Sequence, residues 1–140
     1  MTKKHISLLC LLFFINTGSA LTVSFTTRLG DIAIELDAEK SPKNVANFLS
    51  YYNEGFYDNT LFHRVIKNFV IQGGGLTESL EEKATKSAVV NESSNGLLNV
   101  RGTVAMARTS DPHSAKAQFY INLKDNSHLD YDFTNNAWGN

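Results

Sequence analysis

The sequence of 140 residues has one cysteine, no cluster of basic residues and a formal net charge of only −1. Its four arginines and nine lysines are spread along the chain, so nothing marks it as a protein that neutralises the phosphates of nucleic acid. Hydrophobic residues make up 42% and charged residues 19%, which is close to the globular average and argues against disorder. No internal repeat is visible, and at this length we expect a single domain.

The first 20 residues have the pattern of a secretory signal peptide. Two lysines precede an apolar run over residues 6–15, and small residues follow at Gly18 and Ala20. The run is roughly half of the ~20 residues that span a bilayer, so a retained transmembrane anchor is the weaker interpretation. We therefore expect cleavage after Ala20, an exported protein, and no stable membrane association after cleavage.

Removal of this segment leaves a mature chain without cysteine, because Cys10 lies inside the apolar run. It also removes Lys3 and Lys4, so 11 of the 13 basic side chains remain against 14 acidic ones and the net charge becomes −3. Such a chain can form no disulfide, and it has no thiol for redox chemistry or nucleophilic catalysis. Its core alone must stabilise the fold.

Apolar residues alternate with others in residues 22–26 and 32–36, and Gly30 lies between the two runs. This pattern predicts two strands joined by a tight turn. Further short strand-like runs occur at residues 61–66, 69–72, 103–107 and 118–122, with a long polar connection over residues 76–102. The order predicts a mainly β fold in which the sheet is closed or nearly closed and capped by helices.

Residues 41–54 are predicted to form a helix. Ser41 and Pro42 are typical of the N-cap and the first helical position, and Gly55 favours a helix end. An apolar stripe at helical spacing is expected to face the core; its members are Val45, Phe48, Leu49 and Tyr52.

The usual signatures of metal, nucleotide and hydrolase sites are missing from the sequence. The mature chain's histidines, His63, His113 and His128, do not have the spacing of a zinc pair. The glycine run at residues 73–75 is not followed by the Lys-Ser/Thr of a phosphate loop, and no Gly-x-Ser-x-Gly motif occurs. Residues 91–93 would accept an N-glycan only in a host with that pathway. We therefore expect neither a metal nor an organic cofactor.

Three long polar side chains, Arg64, Gln72 and Gln118, interrupt strand-like apolar runs. An isolated arginine in such a run is more often a side chain whose charged end reaches solvent at a sheet edge. Three polar residues in three runs change that balance, because a buried polar group without a partner costs about 1–3 kcal/mol. We expect them to converge on one site.

Five segments, taken in order, resemble the cyclophilins, the peptidyl-prolyl cis-trans isomerase family. They are residues 62–66 (FHRVI), 69–74 (FVIQGG), 101–108 (RGTVAMAR), 114–121 (SAKAQFYI) and 129–130 (LD). The signal peptide and the triple glycine are most similar to bacterial periplasmic cyclophilins. The resemblance implies a closed eight-stranded antiparallel barrel capped by two helices, with a proline-binding groove on its outer face.

The resemblance also implies roles for individual residues. Arg64 corresponds to the catalytic arginine, and Gln72 to a polar groove residue that we group with it as catalytic. The residues implied to bind substrate are Phe69, Val70, Met106, Ala107, Arg108, Gln118, Tyr120, His128 and Leu129. Phe69, Met106 and Tyr120 would form the wall of the proline pocket, and the backbone of residues 107–108 would meet the substrate residue before proline.

The chain departs from the family pattern at several points. Tyr120 and Val70 replace the usual Phe and Met, which changes the shape of the pocket. His128 stands where an aromatic, often Trp, helps to hold the cyclic peptide inhibitor cyclosporin. The chain ends at Asn140, before the family's last strands and second helix, so we expect the domain of residues 21–140 to be incomplete, poorly active and prone to aggregation.

The expected function is isomerisation of X-Pro bonds in unfolded or folding exported proteins, by a monomer that binds proline-containing segments. Two alternatives stay open: a non-catalytic module that binds proline peptides, and an exported structural or adhesive β-domain. Arg64 and Gln72 favour the enzyme, because a pure binder does not need a charge directed at the twisting amide.

Overall fold

A computed structural model describes residues 21–134 of the chain, so the predicted signal peptide of residues 1–20 and residues 135–140 lie outside the described part. The elements are β1 (Leu21–Thr27), β2 (Gly30–Leu36), α1 (Pro42–Asn53), β3 (Arg64–Val65), β4 (Val70–Gly73), β5 (Val104–Met106) and β6 (Phe119–Asn122). Short 3-10 turns cover Ser93–Asn95 and Ser127–Leu129. Among the described helices, none is long and apolar enough to cross a membrane.

The predicted hairpin at the start of the mature chain is confirmed. β1 and β2 pair antiparallel from Leu21 opposite Leu36 to Thr27 opposite Gly30. Gly30 has a φ of 127°, which favours glycine at the turn. Val23 lies opposite Ile34, and both are buried, so one face of the hairpin packs on the core.

The predicted helix is confirmed, but its N-terminus is capped differently. The Ser41 side chain does not cap the helix; its hydroxyl oxygen accepts a hydrogen bond from Asn95 Nδ2 at 2.7 Å. The first-turn N–H groups of Lys43 and Asn44 instead donate to the carboxylate of Glu92, at 3.2 and 2.9 Å. A residue far along the chain therefore supplies the cap.

The helix face that packs on the core is rotated slightly from the prediction. Val45 and Phe48 are buried as expected, but the third buried residue is Tyr51, which is 1% exposed. Leu49 and Tyr52 are only partly buried against the core. The Tyr51 hydroxyl accepts a hydrogen bond from the backbone N–H of Lys86, at 2.8 Å.

The other four strands form an antiparallel sheet in the order β3-β4-β6-β5. Arg64 lies opposite Gln72, Gln72 opposite Tyr120, and Tyr120 opposite Ala105, so these residues form one row across the sheet. Directly opposed residues of antiparallel strands share a face. The row therefore places Arg64 and Gln72 on the same face of the sheet.

The predicted strand over residues 61–66 is wrong in extent, because β3 contains only two residues. A strand through residues 61–66 would place Phe62 on the Arg64 face by alternation. It packs instead against the core residue Phe119, with ring centres 6.1 Å apart. Alternation fails because residues 61–63 are not part of a strand.

The expectation of a closed barrel is not met by residues 21–134. The β1–β2 hairpin and the four-stranded sheet are separate sheets, and no ladder joins β2 to β5. Aromatic side chains fill the core between them: Phe25 stacks on Phe119 at 5.7 Å, and Phe48 lies 5.3 Å from Tyr57. Burial raises the pKa of Tyr57, whose hydroxyl donates to the Ala117 carbonyl.

Candidate active site

Arg64, Gln72 and Gln118 are joined by hydrogen bonds on the surface of the four-stranded sheet. Nη1 of Arg64 donates to Oε1 of Gln72 at 3.1 Å, and Nε2 of Gln72 donates to Oε1 of Gln118 at 3.0 Å. Gln118 lies directly before β6, and its bond to Gln72 places its amide on the face of the row described above. The structure thus brings together the three polar residues that the sequence singled out.

The guanidinium of Arg64 has donors that its bond to Gln72 does not use. Its side chain is exposed, and within residues 21–134 it makes one hydrogen bond, the one to Gln72. A guanidinium carries five N–H groups in a planar fork. The bond to Gln72 therefore orients the group and leaves other N–H groups to meet a ligand.

An aromatic pair borders this polar chain. The Arg64 Cζ atom lies 5.8 Å from the centre of the Phe69 ring. The pair consists of Phe69 and His128, whose rings stack with centres 5.6 Å apart and an interplanar angle of 21°. His128 is held in the Ser127–Leu129 turn, which also places the partly buried Leu129 beside it.

Gly75 explains how Gln118 reaches Gln72. The glycines at residues 73–75 are buried, and a side chain on Gly75 would collide with Gln118. The glycine run therefore provides space next to the polar chain.

Comparisons with known proteins show the family to which the chain belongs. The family model described as "Cyclophilin type peptidyl-prolyl cis-trans isomerase/CLD" matches residues 22–140. Peptidyl-prolyl cis-trans isomerase B of Escherichia coli is 53% identical over 118 residues, which is 84% of this chain and 72% of that protein. The isomerase cyp18 of Streptomyces antibioticus is 53% identical over 119 residues, with the same two shares. The chain belongs to the cyclophilin-type peptidyl-prolyl cis-trans isomerases.

A solved cyclophilin has the same fold. The crystal structure of a Cryptosporidium parvum cyclophilin, determined in the presence of the dipeptide Ala-Pro, is 32% identical and superposes with a TM-score of 0.71 over 79% of this chain and 72% of that one. The present cyclophilin is therefore an isomerase by family, and the mainly β prediction is confirmed at the level of the fold.

Met106 is one predicted site residue that the structure does not bring to the cyclophilin's polar chain. It lies opposite Phe119 in the β5–β6 ladder, and it packs against the hydrophobic core. Its neighbour Ala105 takes the place in the row with Gln72. The structure therefore does not place Met106 beside the other residues expected in the pocket wall, because strand alternation points its side chain to the core face.

Val70 and Tyr120 lie on the same face as the polar chain and are deeply buried. Val70 is 2% exposed and Tyr120 is 4% exposed, so they form the floor under the polar chain. The Tyr120 hydroxyl donates to Oδ1 of Asn99 at 2.7 Å. The hydroxyl that distinguishes Tyr120 from the usual Phe therefore makes a buried hydrogen bond within the protein.

Residues 107 and 108 flank the site at the end of β5. The backbone N–H of Ala107 donates to the carbonyl of Gln118 at 2.8 Å, which ties it to the polar chain. Arg108 instead lines a cavity of about 520 Å³ between β2, α1 and β5. Arg64, Gln72 and Gln118 do not line this cavity, and it lies on the core side of the sheet with Met106.

Sequence reasoning missed a set of asparagines under the site. Asn99, Asn122 and Asn126 are 5%, 1% and 0% exposed, respectively. Asparagine is mostly found on surfaces, so their burial could not be read from residue type. The available signal was Asn122 at the end of the apolar run of β6.

Proposed function

We propose that Arg64 is the catalytic residue of this isomerase, and that the enzyme acts on X-Pro bonds of exported proteins in the periplasm. The observation that carries the proposal is the chain from Arg64 through Gln72 to Gln118, with Phe69 beside the guanidinium. It combines a fixed cation with an apolar surface, which is what rotation about a prolyl bond requires.

The chemistry needs no covalent step. The barrier to rotation about an X-Pro bond, about 18–20 kcal/mol, comes from amide resonance, and twisting the bond returns the lone pair to the proline nitrogen. A donor fixed near that nitrogen stabilises the twisted state more than the planar one, and such selective stabilisation lowers the barrier. Arg64 fits this role because its guanidinium is always charged and its fork is held by Gln72.

The ring of the substrate proline packs, in this proposal, against Phe69, His128 and Leu129. The stacked pair of Phe69 and His128 offers a flat apolar surface next to Arg64. The Cryptosporidium parvum relative was crystallised in the presence of Ala-Pro, and that supports a proline-containing peptide as ligand here. Ala107, whose N–H is bonded to Gln118, would place its backbone beside the residue before proline.

Export is supported by the sequence of residues 1–20, with its charged start, short apolar run and small residues before Leu21. The substrates would then be proline-containing segments of proteins that fold after export. Slow X-Pro isomerisation, tens to hundreds of seconds without a catalyst, limits the folding of many chains.

Two measurements test the proposal. A cis-to-trans assay on a proline-containing tetrapeptide should show turnover for the wild-type chain and a loss of most turnover for Arg64→Ala. If the chain instead bound the peptide in calorimetry without accelerating its isomerisation, it would be a non-catalytic binding module. Cell fractionation with N-terminal sequencing tests export: we expect a periplasmic protein that begins at Leu21, and an uncleaved cytoplasmic protein would contradict that part.

A further inference from the structure

Three buried asparagine side chains form a continuous hydrogen-bonded chain beneath the active site. Nδ2 of Asn126 donates to Oδ1 of Asn122 at 2.8 Å. Nδ2 of Asn122 donates to Oδ1 of Asn99 at 3.2 Å and to Oγ1 of Thr103 at 3.0 Å. The same oxygen of Asn99 accepts the Tyr120 hydroxyl, so the chain ends under the floor of the site.

Asn126 connects this chain to the aromatic pair. Its Nδ2 also donates to the backbone carbonyl of Phe69 at 3.1 Å, and the N–H of Leu123 donates to the same carbonyl at 2.8 Å. Asn126 directly precedes the Ser127–Leu129 turn that carries His128. One side chain therefore links the backbone of Phe69 to the segment that holds its stacking partner.

The turn is fixed at both of its ends. The backbone N–H of Asn126 donates to the Asn99 carbonyl at 2.8 Å, before the turn. After the turn, Oδ1 of Asp130 accepts hydrogen bonds from the backbone N–H and from Nδ2 of Asn99, at 2.7 and 3.0 Å. Asn99 thus holds the turn on both sides, while Asn126 sets its distance from Phe69.

The oxygen of the buried Asn126 carboxamide, Oδ1, is unpaired among the described residues. An unpaired buried acceptor is destabilising, and an apolar side chain of similar size would avoid the penalty. The position nevertheless holds an amide, whose Nδ2 donates to both Phe69 and Asn122. An apolar residue at this position could not make these two donated bonds.

We propose that Asn126 is a positioning residue that holds Phe69 against His128 and so sets the shape of the proline pocket. The proposal rests on the function proposed above, because it assigns that pocket to the substrate proline. Within residues 21–134, Asn126 has no hydrogen bond to Arg64, Gln72 or Gln118, so we expect it to act on proline binding rather than on the charged contact.

The test uses two variants at this position in the full chain. Asn126→Ala removes both donated bonds and the unpaired oxygen. Asn126→Ser retains a hydroxyl donor too short to reach both acceptors. We expect the KM for a proline-containing tetrapeptide to rise about tenfold in the alanine variant and by less in the serine variant, with kcat within twofold of wild type.

A spectroscopic readout measures the stacking itself. The Phe69 ring shifts the proton resonances of the His128 imidazole, and we expect that ring-current shift to shrink in Asn126→Ala. The matched control is Val23→Ala, which removes buried methyl groups from β1, in the hairpin sheet rather than the sheet of the site. We expect it to lower the Tm while leaving both the KM and the His128 resonances unchanged.

Several outcomes would overturn the proposal. They are an unchanged KM with unchanged His128 resonances, an equal rise of KM in Val23→Ala, and failure of both Asn126 variants to fold. A wild-type chain without turnover would contradict the proposed function and not this inference, since the His128 resonances still report whether Asn126 holds the stack.

Discussion

Gln118 occupies the space in which a side chain on Gly75 would lie. A Cβ atom built on Gly75 would be 2.5 Å from Cγ of Gln118 and 2.7 Å from its Nε2. Atoms in folded proteins do not approach this closely, so Gln118 would have to move. Gln118 accepts a hydrogen bond from Gln72, and Gln72 accepts one from Arg64. The orientation of Arg64 therefore depends on glycine, which has no side chain, at position 75, two residues past β4.

We predict that Gly75→Ala lowers kcat/KM by about two- to tenfold, which corresponds to the loss of one neutral hydrogen bond. The measurement is the tetrapeptide assay with the single variants Gly75→Ala and Gln118→Ala and with the double variant. If Gly75 acts through Gln118, the double variant is no worse than Gln118→Ala alone. Additive losses would show that Gly75 acts in another way.

Gly96→Ala is the matched control for this prediction. Gly96 has a φ of 84°, and a Cβ atom on it would meet no other described atom within 4 Å, so alanine there strains the backbone without displacing a neighbour. We expect a lower Tm and an unchanged kcat/KM.

We predict that Arg64→Ala lowers kcat/KM by about 100-fold or more, as loss of a donor to the transition state does in other enzymes. Arg64→Lys should also lose most of the activity, because a point charge lacks the planar fork. The Tm should hardly change, since Arg64 is exposed. The control is Arg28→Ala, another exposed arginine, in the β1–β2 turn; near-normal turnover of Arg64→Ala would remove the role assigned to it.

We predict weak binding of cyclosporin to the wild-type protein and tighter binding to His128→Trp. An indole ring offers more apolar area than imidazole and an N–H that can bond to the ligand. His128 is exposed and stacks on Phe69, so a larger ring at this position extends the surface beside the site. Calorimetry measures the change, with His113→Trp as a control away from the aromatic pair; nanomolar wild-type binding would be the contrary result.

The Glu92 cap of α1 predicts a pH dependence of stability. Burial by itself raises the pKa of the Glu92 carboxyl, but hydrogen bonds from Asn44 and Lys43 and the Lys43 charge outweigh it, so the pKa lies below the ordinary 4.5. A lowered folded-state pKa means that the stabilisation is complete above the unfolded-state value and is lost as the pH falls through the folded-state value.

The measurement is the Tm of the wild type and of Glu92→Gln between pH 7 and pH 3. At pH 7 the variant should be less stable by about 1 kcal/mol, the typical contribution of a helix cap. The difference should shrink as the pH approaches 3, because the wild type also loses its charge. The control is the exposed Glu78→Gln, and an equal pH dependence of its Tm difference would show that general acid titration is responsible.

The regular elements were predictable because their apolar periodicity is local. The hairpin pairs as the alternation in residues 22–36 requires, and α1 follows Ser41 as expected. The cap was not predictable, since Glu92 lies 48 residues from Asn44 in the chain and only the fold brings them together. The choice of Tyr51 over Tyr52 as the third buried residue likewise depends on how the helix is rotated against the core.

For the site, too, the features set by local sequence were predictable and those set by the fold were not. Arg64, Gln72 and Gln118 were identified because polar residues in apolar strands need partners, and they are indeed bonded to one another. The face to which Met106 points was not predictable, because the resemblance supplied only its position in the sequence. Asn126 was missed because its function is carried by a backbone carbonyl, that of Phe69, which no residue pattern displays.

The alternation of residues 118–120 ties the construction of the site to the construction of the core. Gln118 and Tyr120 face the row of Arg64, whereas Phe119 between them is 3% exposed and packs in the aromatic core. A slip of one residue in the pairing of β6 would move Phe119 out to solvent and push an amide into the core. A chain with this register shift would therefore lose both the polar chain of the site and part of its aromatic core. The same pairing that stabilises the fold also assembles the site, so the folded population contains only the register that places Gln118 beside Gln72.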